Sequence, residues 1–116
     1  MLTEFGKALR RIRLDSNELL KDMADKLGVS SAYLSAVENG KKKATQSMLR
    51  QIIEIYNLTK NEEEQLQDAF QRSQDEVRLD MSGMTSNRHD LALVFARRIS
   101  TIDDESIEEI LKILNK

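Results

Sequence analysis

The residues of this chain that could do chemistry are few, and most are cations. Lys7, Arg10, Arg11 and Arg13 recur along one segment near the N-terminus, and Lys41, Lys42 and Lys43 stand together just after Asn39-Gly40. Ammonium and guanidinium groups at this density suit phosphate oxygens, to which they donate charge-assisted hydrogen bonds. Groups for covalent or metal chemistry are absent or badly placed. Without a cysteine there is no thiolate nucleophile or metal ligand and no disulfide framework, in keeping with a reducing cytosol. The single histidine, His89, lies between Arg88 and Asp90 at the start of a predicted helix, where it reads as a solvated helix end and not as a general base. Ser31 and Ser35 are spaced as a helix face, not as a nucleophile motif. Glu62-Glu63-Glu64 lacks the spaced oxygens and central glycine of a calcium loop and reads as a helix start favoured by the macrodipole. The expectation is no enzyme, no cofactor and no metal.

The net charge of −2 over 116 residues conceals a division. Residues 1–50 hold ten Lys and Arg against six Asp and Glu, a net of +4, whereas residues 51–116 hold eight against fourteen, a net of −6. A basic front half suits a phosphate backbone and the acidic rear half would be repelled by one. At 40% hydrophobic residues the chain can bury one modest core and not two large domains. Its apolar runs are short and its N-terminus has no hydrophobic signal core, so a cytoplasmic protein is expected. No proline, few aromatics and abundant Leu, Ile, Glu, Lys, Arg and Gln point to a helical protein.

The cations must be positioned by helices. Thr3 caps a segment over 4–14, with Phe5, Ala8, Leu9 and Ile12 on its buried stripe. After the turn-prone Asp15-Ser16-Asn17, apolar residues from Leu19 to Leu27 predict a second helix over about 18–27, ended by Gly28. Ser30 caps a third over 31–39, stopped by Asn39-Gly40. Thr45 caps a fourth through Tyr56. Thr59 and Glu62 have capping-box spacing for a fifth over about 62–75, which carries few apolar residues beyond Leu66, Ala69 and Phe70. Thr85 and Asp103 cap the last two.

Only Gly28-Val29-Ser30 joins helices two and three, which forces a sharp crossing. Ala24 is small where the helices touch, Gly28 can take positive φ, and Met23, Leu27, Val29, Leu34 and Val37 can lock the pair. On these residues, and on the string DMADKLGVSSAYLSAVENGKK that contains them, residues 5–58 resemble the lambda-repressor-like (XRE) helix-turn-helix family. The resemblance implies double-stranded DNA as partner, with the third helix in the major groove. It places Ser31, Ala32, Ser35 and Ala36 at base edges, and Ser30, Tyr33, Asn39, Lys41, Lys42, Lys43 and Arg13 at the backbone. It also pairs Arg13 with Glu38. Two features depart from the family. Leu19 and Leu20 stand where many members have Ser-Gln, which moves the expected cap to Ser16 or Asn17. The reading face is also small, so specificity is expected to lean on thymine methyls, serine hydroxyls, water and DNA shape.

Beyond Glu76 the period changes: Val77, Leu79 and Met81 alternate with polar residues, the one strand signal in the chain. A lone strand needs a partner, and the economical partner is the same segment of a second copy. Leu91, Val94 and Phe95 in the sixth helix, and Ile107 and Leu111 in the seventh, are expected in the same dimer interface; the alternative is that these stripes pack on the N-terminal helices. The expected fold is therefore mainly all-α: a lambda-repressor-like helix-turn-helix bundle over 1–58, a linking helix over 59–76, and a dimerisation segment over 77–116 with one short intermolecular β-strand and two helices. The expected function is a homodimeric transcriptional regulator, a repressor on a near-palindromic operator. The alternative is an antitoxin that also binds a toxin protein and represses its own operon.

Overall fold

The computed structural model describes residues 1–116, in seven helices and no strands. No helix is long and apolar enough to cross a membrane. The chain divides into two units, Met1–Val77 and Arg78–Lys116.

The first unit contains α1 (Glu4–Asp15), α2 (Leu20–Leu27), α3 (Ser31–Glu38), α4 (Gln46–Ile55) and α5 (Lys60–Arg72). Local chemistry starts four of them: Thr3, Ser30, Thr45 and Thr59 each accept a backbone N–H from the first turn of the following helix. At Thr59 the capping box is closed, since the Glu62 carboxylate accepts the Thr59 N–H at 2.9 Å. α2 starts differently from expectation. Its N-cap is Leu19, which has no acceptor; neither Ser16 nor Asn17 caps it. Ser16 and Asn17 instead finish α1, with Asn17 left-handed at φ 54°, while the Asp22 carboxylate accepts the Leu19 N–H at 2.8 Å.

The core gathers Phe5 and Leu9 of α1, Met23, Ala24 and Leu27 of α2, Leu34 and Val37 of α3, Met48, Leu49 and Ile52 of α4, and Leu66 and Phe70 of α5. The helix set apart from the sequence as a link is thus the fifth helix of the bundle. Its Phe70 ring meets Phe5 edge to face at 5.4 Å between centroids, and the hydroxyl of Ser73, just past its end, accepts the Phe5 N–H at 3.0 Å. Two large apolar side chains on a polar helix suffice when both are almost wholly buried. A second tie joins the α1–α2 turn to α4: Tyr56 donates its hydroxyl to Glu18 at 2.6 Å, and Lys26 pairs with the other oxygen of Glu18 at 2.6 Å while lying over the Tyr56 ring. The Lys26 ammonium, with the Tyr56 hydroxyl, holds the Glu18 carboxyl below its ordinary pKa. Burial, then the hydrogen bond to Glu18, pushes the Tyr56 phenol well above the ordinary value.

Gly6 marks the closest approach of α1 to α3. A Cβ there would overlap the Glu38 carbonyl, the same carbonyl that accepts the Thr3 N–H at 2.9 Å and the Thr3 hydroxyl at 3.2 Å. The beginning of α1 therefore caps the end of α3. Gly6→Ala improves local helix propensity by about 1 kcal/mol but forces these backbones apart. We expect a net loss of about 1–3 kcal/mol, read as a lower urea midpoint by tyrosine fluorescence; Tyr33 and Tyr56, the only tyrosines, both lie in this unit. An unchanged midpoint would contradict the close contact.

The second unit holds α6 (Ser86–Arg98), capped by Thr85, and α7 (Asp104–Leu114), capped by Asp103. Neither helix has a buried residue, and no Cα of α6 lies within 8 Å of one in α7.

Candidate nucleic-acid interface

Three residues turn the chain between α2 and α3. Gly28 takes φ 70° and Ser30 begins α3 by accepting the Tyr33 N–H at 3.0 Å. The short link, the buried Ala24 and the interlocked Met23, Leu27, Leu34 and Val37 make a helix-turn-helix whose second helix keeps one side on the core. Val29 and Tyr33, half-buried, pack against that core. On the other side Ala32 is exposed and Ser31, Ser35 and Ala36 are half-exposed, so the four residues assigned to bases share an accessible helix face with no side chain longer than serine.

A buried ion pair fixes the height of that face. The Arg13 guanidinium donates from Nη1 to one oxygen of Glu38 and from Nη2 to the other at 3.2 Å, with Met23 Sδ 3.5 Å from Nη1. The two side chains are 9% and 3% exposed. Such a bidentate pair is geometrically specific, so α3 cannot rotate relative to α1 without breaking it. The pairing also corrects the second role given to Arg13. A buried guanidinium committed to a carboxylate is not open to a DNA phosphate. Arg10 takes the outer position, 61% exposed with Nε 4.0 Å from Glu38 Oε1.

Past α3, Gly40 is left-handed at φ 76°, and the N–H groups of Lys41 and Lys42 both return to the Ala36 carbonyl, at 2.8 and 3.2 Å. The three exposed lysines thus begin where the exposed face of α3 ends. Asn39 is half-buried and its amide donates to the Ser35 carbonyl at 2.9 Å. Ser30, at the opposite end of α3, is exposed. Lys7, Arg10 and Arg11 of α1 are exposed as well.

One feature of the site escaped the sequence analysis. Thr3, read only as a cap, also holds the end of α3. The signal for the role of Thr3 was a glycine three residues later inside an amphipathic helix. At the start of α2 the departure read from the sequence stands: Leu19 is 74% exposed, so that end of the motif offers an apolar side chain and no hydrogen-bonding one.

The remaining acidic and titratable groups build nothing comparable. His89 is exposed on α6, and the Glu62 carboxylate is held low by the N–H and hydroxyl of Thr59.

Comparison with known proteins agrees with this geometry. The family model described as Helix-turn-helix matches residues 9–62, from the middle of α1 into α5. No curated protein and no solved structure matches the chain. Residues 9–62, with α2, the three-residue turn and α3 at their centre, are therefore a helix-turn-helix segment similar to those of the lambda-repressor-like DNA-binding transcription regulators.

Proposed function

We propose that the chain is a homodimeric repressor that binds a near-palindromic operator through two copies of α3. The observation that carries this reading is the accessible, small-residue face of α3, backed by the Arg13–Glu38 pair and ended by three exposed lysines. In the proposed complex Ser31, Ala32, Ser35 and Ala36 face base edges, the two alanines against thymine methyls and the serines as donors or acceptors. Ser30, Tyr33, Asn39, Lys41, Lys42 and Lys43 face the sugar-phosphate backbone. A face without arginine, glutamine or asparagine has little bidentate readout, so DNA shape between the half-sites supplies part of the specificity. The half-site centres lie about 34–36 Å apart, or a multiple of that.

The second copy is supported by the C-terminal unit, whose helices bury no residue. Val77 and Leu79 are 71% and 61% exposed in a segment without regular secondary structure that also holds the half-buried Met81. In the dimer this segment pairs with its twin as a two-stranded ribbon. Leu91, Val94, Phe95, Ile107 and Leu111 lie in the same interface. An antitoxin role is the second reading, favoured by the exposed acids Asp103, Asp104, Glu105, Glu108 and Glu109, which suit a basic toxin. A small basic toxin encoded next to this gene is what it requires.

Footprinting on DNA upstream of the chain's own gene tests the reading: two protected half-sites on one helical face are expected, and no protection in dilute salt contradicts it. Variants of single residues then divide the contacts. Lys43→Ala is expected to weaken binding by a similar factor on every sequence, whereas a Ser35 substitution changes which base is preferred at one position of each half-site, a discrimination worth about 1–3 kcal/mol. Equal loss on all sequences for Ser35 would remove it from the bases.

A further inference from the structure

We propose that the dimer is held by heterotypic pairing, α6 of one copy on α7 of the second and the reverse across the two-fold axis. The inference rests on the homodimer reading and adds which surfaces meet.

The surface is available and large enough. Leu91, Leu93, Val94, Phe95 and Ile99 of α6 and its end, with Leu111, Ile113 and Leu114 of α7, are each 40–65% exposed. Leu93 and Ile113 point away from the other six; at about 50 Å² of apolar area for each of those six and about 30 Å² for each of the half-buried Ile107 and Ile110 on the same stripe, two copies offer roughly 700 Å². With the usual two-thirds apolar share of homodimer interfaces, the whole interface comes to about 1,100 Å², just above the roughly 1,000 Å² that a biological interface must clear. Helices of 13 and 11 residues are marginal alone in water, so this surface must be covered for them to persist. Within one chain no Cα of α6 lies within 8 Å of one in α7, and the eight side chains named above keep 40–65% of their surface exposed, which leaves that surface for a second copy to cover.

Charge selects the pairing. α6 carries Arg88, Arg97 and Arg98 against Asp90, a net of +2 with His89 neutral; α7 carries Asp104, Glu105, Glu108 and Glu109 against Lys112, a net of −3. These charges border the apolar stripes. Arg88 is three residues before Leu91, Arg98 three after Phe95 and Glu108 three before Leu111, spacings that put each on the same helix face as its apolar neighbour. Packing α6 on its own twin would set arginines against arginines, and α7 on its twin would set carboxylates against carboxylates. Only the heterotypic arrangement places opposite signs along both seams. It is isologous, so it closes at two copies and leaves no open surface for further growth.

The test uses three full-length preparations: Arg88→Glu/Arg98→Glu, Glu108→Lys/Glu109→Lys, and an equimolar mixture, each followed by sedimentation equilibrium beside the unsubstituted chain. Each double variant alone is expected to raise the dimer dissociation constant at least about tenfold, because its seams carry one sign of charge. The mixture is expected to recover dimers containing one chain of each kind. Unchanged dimerisation of Arg88→Glu/Arg98→Glu would mean that α6 meets α6 and would overturn the pairing while leaving the homodimer intact. A mixture that stays monomeric would mean that α6 and α7 pair within one chain. A monomeric unsubstituted chain would instead sink the homodimer reading itself.

Discussion

Arg13→Ala should cost the first unit about 3–5 kcal/mol, since it strands the Glu38 carboxylate, 2% exposed, without its partner. Against a typical total stability of roughly 5–15 kcal/mol, that is the largest effect of any single substitution proposed for this chain. The same reasoning predicts a rescue. Attraction inside a buried pair is offset by the desolvation of both ions, so Arg13→Met combined with Glu38→Leu should restore most of the loss. Urea unfolding followed by tyrosine fluorescence reads both variants; a mild effect of Arg13→Ala would mean that water reaches Glu38. DNA binding separates the roles further. If the pair acts by setting the height of α3, the rescued double variant regains stability but binds operator more weakly, because apolar side chains fix no rotation.

How much of this was written legibly in the sequence follows from how far each cause reaches along the chain. The caps at Thr3, Ser30, Thr45, Thr59, Thr85 and Asp103 could be read because a hydroxyl or carboxylate and the N–H it accepts lie three residues apart. The start of α2 could not, because Leu19 has no acceptor and the helix is held by packing of Met23, Ala24 and Leu27 and by Asp22 reaching back. α5 looked like a connector because an average over its polar residues hides two that are buried; Phe70 owes its place to Phe5, sixty-five positions earlier. Gly6 is the same case, its reason being the carbonyl of Glu38.

The site divides along the same line. The face of α3 could be read from the turn residues and apolar lock that orient it. That Arg13 is enclosed could not, since whether a guanidinium meets solvent depends on what Met23 and Glu38 place around it.

The salt dependence of operator binding is the second large effect, and it follows from which cations remain exposed. Lys7, Arg10, Arg11, Lys41, Lys42 and Lys43 all reach solvent. If about three to five per protomer neutralise phosphates, a dimer makes roughly six to ten contacts, and affinity falls about 10³–10⁵-fold between 50 and 200 mM salt. Replacing Lys41, Lys42 and Lys43 together with glutamine removes up to three contacts from each protomer. The slope of log affinity against log salt should then become shallower by as much as about 5. The proposed pairing of α6 and α7 imposes a condition on this measurement. Opposite charges along their seams also weaken with salt, so protein must be held well above the dimer dissociation constant at every point, or dissociation steepens the slope on its own. Under that condition a slope unchanged by the triple substitution would place the lysines away from the strands, and the orientation proposed for α3 would fall with them.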